Sequence, residues 1–234
     1  MDAARRLDRH LLRAHPALAP FLVRPGLLPR AAPAPTGLEA LDALLGGGFP
    51  RGRISEIVGP RTSGRTRLLL ASLAGATARG ALTALVDVAD GLDPGSAQAV
   101  GVDLARLLWI RCGGRLVTAW QAADVVVRSG GFDVVAVDLG DPPPWTLARV
   151  SPAVVVRLQR AIEVTPTALL VAGPRGVAGS LAAVAVALRR GVARWERGGP
   201  GLLTGLETEV RLVRSRARVP GARARLAWRL DRDA

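Results

Sequence analysis

From Thr36 onward the chain alternates short apolar runs, rich in β-branched residues, with longer stretches in which apolar residues recur every three or four positions. The short runs at 54–58, 82–88, 107–111, 134–138 and 168–172 read as buried strands. Residues 65–78, 117–129 and 150–163 between them read as helices. This alternation predicts an α/β fold, a mostly parallel twisted sheet with helices on both faces, because a parallel crossover needs a returning helix. After Gly179 the character changes to strand-like runs at 182–188, 207–214 and 224–230, the last two joined by Pro220-Gly221. These are expected to extend the sheet as antiparallel edge strands, with no separate C-terminal domain beyond them.

Upstream, residues 3–15 place Ala4, Leu7, Leu11 and Leu12 near one helical face among arginines. Pro16, Pro20, Pro25, Pro29, Pro33 and Pro35 then forbid further helix. The chain therefore divides into a helical arm with a proline-rich linker, 1–35, and a core, 36–234. The arm either folds back on its own core or docks on a partner.

One stretch between a strand and a helix carries candidate chemistry: Gly59-Pro60-Arg61-Thr62-Ser63-Gly64-Arg65-Thr66. The frame is that of a phosphate-binding loop, in which glycines let successive N–H groups turn inward at a helix N-terminus. Thr66 could offer its hydroxyl to Mg²⁺. Where such a loop has a lysine for the outer phosphates, this chain has Arg65, a planar fork that cannot act as a compact ammonium. Nucleotide binding can survive that change; fast phosphoryl transfer is not expected to. A second acidic signal is Phe132-Asp133-Val134-Val135-Ala136-Val137-Asp138, a strand ending in a carboxylate from which Asp138 can hold a Mg²⁺-bound water. Thr66 and Asp138 are the candidate metal ligands, conditional on nucleotide.

Composition narrows the classes. With 49% hydrophobic residues over 234 positions the chain can bury a core without staples. One cysteine, Cys112, excludes an intramolecular disulfide, and His10 and His15 both lie in the arm, so no zinc site or cysteine–histidine pair is supported. The formal charge is +13, and every one of the 32 basic residues is arginine. Such a balance attracts polyanions or simply keeps an apolar protein in solution. Arg211, Arg214, Arg216, Arg218, Arg223 and Arg225 alternate along the last strands and could form a phosphate-tracking stripe. No apolar run approaches the ~20 residues of a membrane span. The N-terminus lacks a secretory pattern, and a bacterial cytoplasm is the simplest compartment.

Taken together the pieces resemble the bacterial RecA core. The similar stretches are Thr36-Gly37-Leu38-Glu39-Ala40-Leu41-Asp42, Gly46-Gly47-Gly48-Phe49-Pro50-Arg51-Gly52-Arg53-Ile54-Ser55-Glu56-Ile57, the loop itself, Leu92-Asp93-Pro94, Gly101-Val102-Asp103-Leu104, Arg128-Ser129-Gly130 and Glu207-Thr208-Glu209-Val210-Arg211. The resemblance implies a RecA-like fold and an ATP and magnesium site, with Asp93 as a purine contact. It also marks departures. The catalytic glutamate's position is Ala89, the adenine-stacking aromatic's is Ser96, and the γ-phosphate-sensing glutamine's is Pro174. Asp90, next to Ala89, is one residue out of register and should point elsewhere. The DNA-inserting loop shrinks to about Arg175-Gly176-Val177-Ala178-Gly179, and the basic pair that crosses the filament interface falls at Arg214 and Arg216.

A RecA-like core with a degraded ATP site, a short DNA loop and an N-terminal arm resembles the ImuA family of damage-induced mutagenesis. That resemblance implies an ATPase-deficient accessory protein working with RecA, an inactive ImuB-type polymerase homologue and an error-prone DnaE2-type polymerase, with Arg175, Arg211, Arg214, Arg216 and Arg218 as candidate DNA or partner contacts. A slow DNA-binding ATPase and a SulA-type cell-division inhibitor remain the alternatives.

Overall fold

The computed structural model describes residues 31–196 and 201–229; the predicted helical arm falls in 1–30 and lies outside them. The elements in chain order are α1 (Glu39–Leu45), β1 (Arg53–Val58), α2 (Arg65–Ala78), β2 (Leu82–Asp87), α3 (Pro94–Ala99), β3 (Leu107–Arg111), α4 (Leu116–Ser129), β4 (Phe132–Asp138), α5 (Pro144–Ala148), α6 (Pro152–Ile162), β5 (Ala168–Gly173), β6 (Val184–Leu188), β7 (Val192–Trp195), β8 (Leu203–Ser215) and β9 (Arg223–Arg229). All nine strands form one sheet in the order β3-β2-β4-β5-β1-β6-β8-β7, with β9 on the other edge of β8. The first six strands of that order are parallel to one another. β8 is antiparallel to β6, and β7 and β9 are antiparallel to β8. The α/β architecture read from the sequence is the one observed.

Helices cover both faces of the parallel part. On one side α2 packs across β1, β2, β4 and β5. Leu68, Leu69 and Leu73 there are 0%, 1% and 0% exposed, so each contributes about 2 kcal/mol by leaving water. From Leu68 to Thr77 this helix is enclosed on nearly every side, which is why that stretch lacks a polar stripe. On the other side α4 and α6 pack on each other and on the sheet, with Trp120, Ala123, Val127, Leu158 and Ile162 in their shared core. The Thr36 to Asp42 stretch is a clamp: Asp42 Oδ1 accepts from Thr36 N at 2.9 Å and from Thr36 Oγ1 at 2.8 Å, fixing the entry into α1.

The strand expected at 182–188 departs from its predicted role. β6 pairs in parallel with β1, Ser55 to Val58 running beside Val184 to Ala187, so it lies inside the sheet and only its other edge is antiparallel. The physical reason is its composition. Val-Ala-Val-Ala-Leu is apolar at every position, as a strand covered on both faces must be, whereas an edge strand with one wet face would alternate. β7, which the hydrophobic pattern did not announce, has all four residues exposed and is held by backbone pairing to β8.

The connection after β5 is also longer than expected. It runs over 174–183, includes a short 3₁₀ turn at Gly179–Leu181, and is tied to the sheet by Glu56. This glutamate is 4% exposed on β1, and its Oε1 accepts from Val177 N at 2.6 Å and Ala178 N at 2.7 Å. A buried carboxylate thus takes the place of the peptide partners that the loop lacks.

Candidate nucleotide site

β1 delivers the chain to Gly59, and α2 begins after Gly64, whose φ of +84° only glycine adopts without strain. Within the loop, Thr62 also has positive φ, at +62°. Ser63 N donates to Pro60 O at 3.3 Å, and Gly191 N, from the turn between β6 and β7, donates to Thr62 O at 3.1 Å. One of the loop's N–H groups is therefore paired within the loop itself.

Arg65 closes the arrangement. Its side chain is 6% exposed, and its guanidinium is directed at protein groups: Nη1 donates to Gly59 O at 2.6 Å and to Asp141 Oδ1 at 3.3 Å, and Nη2 to Gly140 O at 2.9 Å. The fork bridges the start of the loop to the segment after β4, with Asp141 supplying the countercharge. Arg61, largely exposed, reaches the same carboxylate at 4.0 Å. Asp141 drew no attention in the sequence. The signal available was an acid three residues past a strand-terminal Asp138, close enough to meet a basic group at the loop.

Asp138 sits beside this pair. Burial pushes its carboxyl above the ordinary carboxylate value, the backbone N–H of Gly140 and the nearby Arg65 pull it down, and Asp87 and Asp141 push it up again. Its Oδ1 accepts from Gly140 N at 2.9 Å. Thr66 is exposed on the first turn of α2. Asp87, at the end of β2, is committed to structure, accepting from Gly91 N, Leu92 N and Trp109 Nε1 at 3.1, 2.9 and 3.2 Å.

The other flagged positions separate. Ala89 packs against Gly140: a methyl added to that glycine would lie 2.9 Å from the alanine's Cβ. Asp90 has a φ of +56° and pairs with Arg111 at 3.5 Å, away from the loop. Asp93 caps α3, its Oδ2 accepting from Ser96 N at 2.8 Å, and Ser96, through its hydroxyl first and its backbone N–H second, holds the carboxyl below the ordinary value. Arg175, Arg211, Arg214 and Arg216 are exposed. Arg218 lies over the C-terminus of α1, where a methyl built on Gly46 would be 2.9 Å from its Nε and Nη2.

A feature the sequence did not suggest is the lid on Gly64. A methyl built on it would lie 2.5 Å from Cζ3 and 2.9 Å from Cη2 of Trp228, a buried residue of β9. The C-terminal hairpin therefore closes over the loop's second glycine. These side chains, as arranged, do not fit ATP and Mg²⁺. The cation that would face the outer phosphates is spent on two carbonyls and a carboxylate, the glutamate's place is filled by Ala89, and Asp93 is engaged with α3. Among the described residues no group of three or more His, Cys, Asp or Glu side chains is gathered as a metal site.

Comparison with known proteins bears on the fold. Residues 30–141 match the RecA N-terminal domain. The chain is 50% identical over 105 residues to protein RecA of Methylococcus capsulatus, which covers 44% of this chain and 30% of that protein. It is 45% identical over 105 residues to protein RecA of Rhodococcus jostii, with 44% and 30% covered. The match thus spans about 30% of the length of these relatives. In three dimensions the chain is similar to the crystal structure of the RadB recombinase, with a TM-score of 0.62 at 20% identity, over 82% of this chain and 94% of that one. With the loop, the switch to antiparallel strands after β6 and these matches in place, the chain is similar to RecA in sequence over residues 30–141 and to the RadB recombinase in fold over 82% of its length.

Proposed function

We propose that this RecA-like protein is an accessory factor without ATP turnover, acting in damage-induced mutagenesis through contact with RecA, with an ImuB-type polymerase homologue, or with the DnaE2-type polymerase. The observation that carries the reading is the Arg65 guanidinium, bound to Gly59, Gly140 and Asp141. A ligand phosphate must break those bonds before it gains its own, and Ala89 has no carboxylate with which to orient an attacking water. A subunit with a RecA-like surface and no working nucleotide site can join the end of a filament and stop its growth, which gives the contact a mechanism.

The test is calorimetric titration of the purified protein with ATP and Mg²⁺, beside pull-downs with RecA and the two polymerase subunits. Absent turnover together with a retained partner supports the reading. DNA-stimulated hydrolysis that is lost on Asp138→Ala would overturn it in favour of a slow ATPase.

Direct contact with DNA is a second reading, favoured by the β8–β9 hairpin. Arg211 and Arg223 are register partners on its outer side, Arg225 faces Glu209, and Glu209 meets Arg223 at 3.3 Å and Arg189 at 4.0 Å. Like charges placed opposite each other cost stability unless an anion joins them. A DNA affinity that does not fall as salt rises rules this reading out.

A further inference from the structure

The N-terminal end of α4 opens on a groove of about 650 Å³ shared with α5 and the start of α6, distant in sequence from the nucleotide loop. Its apolar lining includes Leu116, Val117, Trp120, Trp145 and Val154. Val117 is 71% exposed and Trp145 61%. Val125, two turns further along the same ridge of α4, is 67% exposed. Large apolar side chains left in water beside one another, as Val117 and Trp145 are in this groove, mark a contact surface more often than a finished exterior.

Arg115, Arg149 and Arg157 line the groove and no carboxylate does; Arg157 is paired with Asp124 of α4 at 3.5 Å, so Arg115 and Arg149 carry the groove's positive charge. The Arg149 guanidinium stands 5.3 Å over the Trp145 ring, which holds an exposed cation and an exposed aromatic in one place. α4 itself enters on Arg115 without a capping side chain and without an acidic residue in its first turn, so its leading N–H groups lack a side-chain acceptor. The neighbouring α6 differs, since Ser151 caps it. Trp120, 5% exposed, lines the groove, and its buried Nε1 has no hydrogen-bond partner among the described residues.

We propose that this groove takes an acidic segment of a partner protein, one that sets an apolar side chain against Trp145 and Val117 and carboxylates against Arg115, Arg149 and the first turn of α4. The inference rests on the protein-contact reading above and gives it a surface. Charge disfavours the chain's own arm as the occupant: residues 1–30 carry Arg5, Arg6, Arg9, Arg13, Arg24 and Arg30 against Asp2 and Asp8.

The probe is a fluorescein-labelled peptide of about 16 residues alternating Asp or Glu with Leu and Trp, followed by anisotropy on the full chain. Saturable binding is expected, weakened about tenfold by Trp145→Ala and at least as much by the Arg115→Glu/Arg149→Glu pair. It should be unchanged by Arg223→Glu/Arg225→Glu on the hairpin. A peptide in which every acid is replaced by lysine should not bind, and an unlabelled peptide of residues 1–30 should not displace the probe. Equal weakening by the two charge-reversal pairs with no effect of Trp145→Ala would mean that net charge alone attracts the peptide, and would overturn the proposal, as would equal affinity for the parent and every variant, failure to saturate, or displacement by the 1–30 peptide. Because Trp145, Arg115 and Arg149 are exposed, their replacement leaves the core intact, which circular dichroism checks. Pull-downs that fail while the peptide binds would remove the partners named above and leave the groove. Pull-downs that succeed unaltered by Trp145→Ala would remove the groove and leave the partners.

Discussion

The ring of Trp228 occupies the space that any side chain on Gly64 would need, a methyl there falling 2.5 Å from Cζ3. The loop's second glycine is thus required twice, once by its φ of +84° and once by a side chain more than 160 residues away in sequence. Gly64→Ala should destabilise the protein by about 3 kcal/mol, of which about 1 kcal/mol is the backbone penalty. In a Trp228→Ala background only that backbone part should remain. A double-mutant cycle in chemical denaturation measures the coupling, and additive effects would show that the two residues do not meet.

Arg65 gives a second measurement. Arg65→Ala leaves Asp141 with only the exposed Arg61 at 4.0 Å and the Gly59 and Gly140 carbonyls without the Arg65 donor, and should cost about 3 kcal/mol. Arg65→Lys keeps the charge on a compact group that cannot span all three acceptors. Its expected signature in calorimetry is tighter ATP binding than in the parent protein, with turnover still absent until Ala89→Glu is added.

Glu56 anchors the 174–183 connection through two backbone donors. Glu56→Ala strands the N–H groups of Val177 and Ala178 and should cost about 2–3 kcal/mol. Amide exchange at those two residues should rise far more than exchange in β4, and uniform acceleration across the sheet would contradict a local anchor.

Asp138 predicts a pH dependence with a definite sign. Burial raises its folded-state carboxyl above 3.8, so between that value and the raised one the native protein holds a proton that the unfolded chain releases. The group's contribution therefore falls as pH rises through this window, and the penalty is complete above it. Asp138→Asn, which can still accept from Gly140 N, should raise the denaturation midpoint at pH 7 and leave it nearly unchanged below 3.8.

Cys112 is fully buried, and burial with the Asp87 and Asp90 carboxylates pushes its thiol above the ordinary value. Reaction with a thiol reagent at neutral pH should be slow in the native protein and immediate in denaturant, which makes this cysteine a reporter of unfolding. Fast native labelling would show that the end of β3 opens.

Much of the sheet was legible because Ile54, Leu85, Val135 and Leu169 lie in runs too apolar to sit anywhere except between two layers. β6 was misjudged as an edge strand for the same physical reason read too weakly: Val184 to Leu188 has no wet face, and that absence was the signal. β7 left no trace because Val192 to Trp195 is exposed at every position and is held by backbone pairing and an Arg194–Glu207 ion pair to β8, neither of which shows as a hydrophobic pattern. At the loop, the glycines and the arginine in the lysine position were visible. Their partners Asp141 and Trp228 were not, because a contact across 76 or 164 positions depends on where the sheet brings its ends.

The guanidinium of Arg65 travels with the chain it closes. A loop that relies on a diffusing ligand tightens and loosens with that ligand's supply, gaining RT ln(1 + [L]/Kd) when it is plentiful. Here Gly59, Gly140 and Asp141 find their counterpart six residues, or one strand crossing, away. That clasp is part of the folded chain, so dilution of the protein leaves it in place.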